Sequence, residues 1–183
     1  MRCCGQTRSQ SVLEHGFSVK NYLFDLLNHL EKDTPLRYEW RLPDWVAEHR
    51  EYILNALPEH SVLKLYTVMH DCGKPVCIEL DEVGNRHFPD HAEVSYRTFT
   101  QFFNCPQAAE LIRHDMDIHL LKADGVEAFS QNPNAIALLI TGLAELHSNA
   151  SMFGGIESTS FKIKWKNIDK RGRQILKTLT NTK

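Results

Sequence analysis

Apolar residues recur at the three-to-four-residue spacing of an α-helix along almost the whole chain, and prolines or glycines fall where that rhythm stops. In residues 11–32, Val12, Phe17, Val19, Leu23, Leu26, Leu27 and Leu30 form one broad apolar face. Residues 44–57 follow Pro43 and stop before Pro58. Residues 59–72 run up to Gly73, a helix stop. Asp90 stands where it can cap a helix to about Asn104, and Pro106 where it can open another to about Leu121. Asn132 or Asn134 precedes residues 135–148, a helix apolar on all sides and so expected in the core. A last helix is expected over about 167–180, within a basic C-terminal helical stretch at about 161–183. Residues 73–89 and 150–160 read as loops, the first with a small hairpin at Val83-Gly84-Asn85. Only residues 161–165 alternate like a strand. The expectation is an all-α single domain over residues 1–183, with its core in about 11–150.

Composition removes several alternatives. The apolar run at residues 135–146 is interrupted by Thr141, Gly142 and Glu145 and falls short of the ~20 residues that span a bilayer. No membrane partner is therefore expected. The first residues hold no apolar core of a secretory leader. The cysteines at 3, 4, 72, 77 and 105 form no CxxC pair, which reads as free thiols in a reducing, cytoplasmic setting. There is no P-loop and no GxGxxG, so no phosphate-cradling loop of either kind is expected. Residues 161–183 hold eight Lys/Arg and one acid, a net of +7, which leaves −9 on residues 1–160 of this chain of net charge −2. Such a basic end suits a phosphate-rich partner, including nucleic acid, or else is a solvated helix that balances an acidic body.

Histidine is abundant, with ten in the chain. The segment Val68-Met69-His70-Asp71-Cys72-Gly73-Lys74-Pro75 carries an apolar helix into adjacent His and Asp and then breaks at Gly. Neighbours at a helix end, where the backbone loosens, can both reach one ion. An imidazole with a carboxylate suits Mn, Fe, Co, Ni or Zn as divalent ions. Lys74 lies close enough in sequence to hold a cation near a bound phosphate.

These runs, with His87-Phe88-Pro89-Asp90-His91, Arg113-His114-Asp115 and Leu143-Ala144-Glu145, resemble the HD superfamily of metal-dependent phosphohydrolases. The pattern is most similar to the HD domain of tRNA nucleotidyltransferases. The resemblance implies a helical bundle of HD-domain type and metal ligands His15, His70, Asp71, His91, His114 and Glu145. His29 is the alternative to His15. One ion would use His15, His70, Asp71 and Glu145; a second would add His91 and His114, with Asp71 bridging. The family ordinarily ends its ligand set with Asp, where this chain has Glu145.

The activity so implied is divalent-metal-dependent hydrolysis of a phosphomonoester or cyclic phosphodiester of a nucleotide or RNA end, without an organic cofactor. Lys74 and Asp115 are the expected catalytic residues, with His87, Lys74, Lys162 and Lys164 at the substrate. His119 and His147 are further candidates to line the site. Two other readings are a di-iron oxygenase of the same superfamily and an HD fold kept as a binding module.

Overall fold

The structure is a computed structural model that describes residues 1–5 and 10–181. Lys183, part of the basic stretch, lies outside the described residues. The chain is mostly helical. Helix α1 spans Val12–Lys32, α2 Asp44–Glu48, α3 Arg50–Ala56 and α4 His60–Met69. A two-stranded antiparallel hairpin follows, β1 (Glu79–Leu80) and β2 (Arg86–His87). Then come α5 (His91–Phe102), α6 (Pro106–Arg113), α7 (Asp117–Leu120), α8 (Val126–Ser130), α9 (Ala135–Ser148) and α10 (Thr159–Asn181). No helix among the described residues is long and apolar enough to cross a membrane.

Two compact units form. The first comprises Met1–Lys20 and Glu59–Met116. There α4 and α5 pack on α6, around Leu63, Tyr66, Phe99, Leu111 and Ile112, all but excluded from water. The second comprises Asn21–Pro58 and Asp117–Lys183. It is built on α9, which contacts α3, α7 and α10 and is buried along nearly its whole length, as apolar residues on all its sides require. Its companion α10 buries Phe161, Ile168, Ile175 and Leu176, with Gly172 against the Trp45 ring.

In the second unit, the irregular segment before α2 is held by side chains in place of a backbone ladder. The carboxylate of Asp25 accepts the N–H groups of Arg37 and Tyr38 and the indole N–H of Trp40, at 3.0–3.2 Å. Arg41 donates its N–H to Nε2 of His147 at 3.1 Å, and Trp165 donates its indole N–H to the Arg41 carbonyl at 2.6 Å. Asp25→Ala removes an ionised acceptor from three donors. We expect a loss of about 2 kcal/mol, since bonds to charged groups contribute roughly 1.5–3 kcal/mol each but these donors can partly re-solvate. Urea titration followed by tryptophan fluorescence checks this; an unchanged midpoint would refute the role given to Asp25.

Several expectations hold and others need correction. The hairpin forms where expected, with Gly84 at φ +83° in the turn. Asp90 precedes α5, but in left-handed backbone and without a side-chain capping bond. Residues 44–57 are two helices, parted at His49 (φ −114°, ψ 25°), with no proline or glycine to mark the break. Residues 106–121 also divide, because His114 (φ −98°, ψ 8°) ends α6. The strand-like residues 161–165 are helical, part of α10, which starts well before residue 167. Their alternation places Phe161 inside but leaves Ile163 exposed, so it never served a sheet.

Candidate metal centre

The first unit gathers the His-Asp pair with two further histidines. His70 lies just past the last residue of α4, and Asp71 follows in the turn. The Oδ2 atom of Asp71 lies 3.4 Å from Nε2 of His70 and 3.7 Å from Nε2 of His15. Its Oδ1 lies 3.7 Å from Nε2 of His91. Lys74 Nζ sits 2.7 Å from Oδ2. His15, His70, Asp71 and Lys74 are all buried.

The imidazoles are oriented from behind. Nδ1 of His70 faces the Thr67 carbonyl at 2.8 Å, and Nδ1 of His91 faces the Phe88 carbonyl at 3.1 Å. A carbonyl only accepts, so Nδ1 carries the hydrogen in each ring, and in the neutral form Nε2 presents a lone pair. Each such Nε2 then stands 3.4–3.7 Å from a carboxylate oxygen, acceptor beside acceptor, an arrangement that repels unless a cation stands between. Donors ~2.1 Å from one ion lie ~3–3.5 Å apart, near the 3.4–3.7 Å found here. Backbone carbonyls behind the ligating rings are what metal sites use to fix tautomer and direction. The residues present thus fit a divalent transition ion by donor type, spacing and orientation.

Two close backbone approaches build this cluster, and sequence reasoning missed both. A Cβ on Gly16, next to His15, would collide with the carbonyl oxygen of Val68, two residues before His70. A Cβ on Gly73 would collide with the backbone of Val94 and Ser95 in α5, the helix that begins with His91. Ser95 locks the second contact: its hydroxyl accepts the Gly73 N–H at 2.9 Å and its carbonyl accepts the Cys72 thiol at 3.3 Å. Gly16→Ala forces main chain to give way. We expect a cost of about 2 kcal/mol in thermal melting, together with at least tenfold weaker metal binding in a competition titration. Unaltered metal affinity would show that this approach does not place His15.

Burial, reinforced by the charge of Asp71, pushes the Cys72 thiol up to about 11. The thiol is protonated at neutral pH and turned to α5, where it donates to the Ser95 carbonyl.

The other expected residues are placed as follows. Asp115 is buried and accepts the phenol hydrogen of Tyr66 at 2.5 Å. His114 ends α6, partly exposed, with Nε2 3.8 Å from Glu110. His87 is exposed on β2, 3.2 Å from Asp81. That carboxylate also accepts the Asn85 side-chain amide at 2.9 Å and the N–H groups of Val83 and Asn85 that close the hairpin turn; the Asn85 amide first, then His87 and the backbone bonds, hold Asp81 down at about 2.

In the second unit, Glu145 lies on α9 with its carboxylate 2.9 Å from Nε2 of His119. Lys162 pairs with Glu157 at 2.7 Å, and Lys164 lies over the Phe153 ring. His29 bonds the Thr34 carbonyl at 2.8 Å. His147 is a core residue: Nδ1 donates to the Leu143 carbonyl, Nε2 accepts from Arg41, and the ring packs on Trp40 and Phe161.

No family model matches this chain, and no curated protein or solved structure matches it.

Proposed function

We propose that the chain is a divalent-metal-dependent phosphohydrolase of HD type, acting on a phosphomonoester or cyclic phosphodiester of a nucleotide or RNA end. One observation carries the reading: three imidazoles and a lysine converge on the carboxylate of Asp71 in a buried setting. His15 and His70 stand beside one oxygen of that carboxylate and His91 beside the other. This division suits Asp71 to bridge two ions. His114 and Glu145 enter the proposal as the remaining ligands that the resemblance implies. A bound ion of this class polarises a phosphoryl oxygen and makes water a nucleophile at neutral pH.

The protein groups do the rest. The imidazoles and Asp71 fix the position of whatever they hold. Lys74, buried beside Asp71, offers a fixed cation to charge that develops on phosphoryl oxygens. Asp115, steadied by Tyr66, is the candidate to hold or pass a proton. Cys72 stays out of the chemistry as a thiol.

The test pairs elemental analysis of the purified protein with hydrolysis of p-nitrophenyl phosphate and 2′,3′-cyclic nucleotides, with and without Mn²⁺, Co²⁺ or Ni²⁺. Transition metal in the protein and metal-dependent turnover are expected. Iron together with O₂ uptake on a polyol or phosphonate would overturn the hydrolase in favour of an oxygenase. Absence of both metal and turnover would leave a binding module.

A further inference from the structure

Within the basic C-terminal stretch, four side chains of the second unit share a definite geometry. Lys166, Lys170, Arg173 and Lys177 of α10 are all exposed. Their spacings of four, three and four residues put them on one helical face. At 1.5 Å rise per residue the row is about 16 Å long. Arg173 is steadied by Asp44 and Asp169, each at 3.3 Å.

We propose that this face is a track for the phosphate backbone of a nucleic-acid strand. Two arguments favour that occupant. A duplex strand carries one phosphate per ~3.4 Å of axis, so a row of this length faces about five phosphates. A membrane surface is a poorer fit. An amphipathic helix lies on lipid chiefly by inserting its apolar side, and in α10 that side (Phe161, Ile168, Ile175, Leu176) is buried in its own unit. The track differs from Lys162 and Lys164, which turn to Glu157 and Phe153. It stands apart from the metal reading and survives if that reading fails.

The experiment is fluorescence anisotropy of the whole chain with a labelled mixed-sequence 20-nucleotide RNA at several salt concentrations. With Arg173 already held by Asp44 and Asp169, the three lysines neutralise three phosphates and predict a slope of log K against log salt of about −2, hence roughly 20-fold weaker binding at 200 than at 50 mM salt. Lys166→Gln with Lys170→Gln should cut the slope by about two thirds and weaken binding at least tenfold at 50 mM. Lys32→Gln with Lys64→Gln, of equal charge change off the track, should do neither. Should the first pair melt early by circular dichroism, Lys177→Gln alone replaces it, with an expected slope change of about 0.7. No binding at 50 mM salt would overturn the proposal. So would equal loss in the two double variants, or binding to phosphatidylserine vesicles that RNA does not compete away.

Discussion

On the proposed phosphohydrolase reading, Asp71→Asn should abolish metal binding in the first unit and lower phosphoester hydrolysis by about 10³-fold or more, since an ion in such a site would both polarise the ester and activate water. The amide keeps the shape of the carboxylate but offers one weak acceptor and two hydrogens that point at lone pairs. His15, His70 and His91 all stand within 3.7 Å of the oxygens so altered. The same change also leaves the Lys74 ammonium without its buried counter-charge. Breaking one half of a buried ion pair costs roughly 3–5 kcal/mol, so the melting midpoint should fall as well. His70→Ala removes a ligand and leaves that pair whole, so it should lose metal with a smaller thermal penalty. Stoichiometric metal retained in Asp71→Asn by plasma mass spectrometry would sink the assignment. His91→Ala tests the second ion: half the metal lost is the expected count, and none lost means one ion.

Stability should also fall steeply as pH drops from about 6.5 to about 4, because of His147. Burial among Trp40, Phe161 and the α9 backbone disfavours its charged form and lowers its pKa to about 4 from 6.5. Between those values the unfolded chain binds a proton that the folded chain does not. Stability therefore rises with pH across the window; this contribution is fully present above 6.5 and is lost as pH falls toward 4. At 1.36 kcal/mol per unit the full span amounts to about 3 kcal/mol. His147→Gln, which can still accept the Arg41 N–H, should be less stable at pH 7.5 yet lose less on acidification. Urea midpoints for both proteins between pH 7.5 and 4.5 decide it: parallel curves would exclude His147 as the cause.

What could be read in advance follows from where each signal lies. Periodicity reports the burial of one face, so α1, α4 and α9 were readable. It carries nothing about local backbone breaks, so the partings at His49 and His114 were not. His70-Asp71 was readable because both chemistry and position lie in adjacent side chains. Gly16 and Ser95 were not, since each matters only through the main chain it meets: Val68 for one, Cys72 and Gly73 for the other. His147 misled for a related reason. Its ring has the chemistry of a ligand, but its two nitrogens are already taken by the Leu143 carbonyl and the Arg41 amide.

The carbonyls behind His70 and His91 have a consequence for how such a chain can drift. What Thr67 and Phe88 contribute to ring orientation is main chain, which every amino acid possesses. Selection on the orientation of these two imidazoles therefore places no demand on the identity of either supporting residue. Related chains can diverge there within the limits those side chains set on their own account, since Thr67 is buried with its hydroxyl on the Leu63 carbonyl and the Phe88 ring lies under Lys74, while the rings keep their aim. The marks that persist through such divergence should be the two glycines, where any side chain at all is one too many.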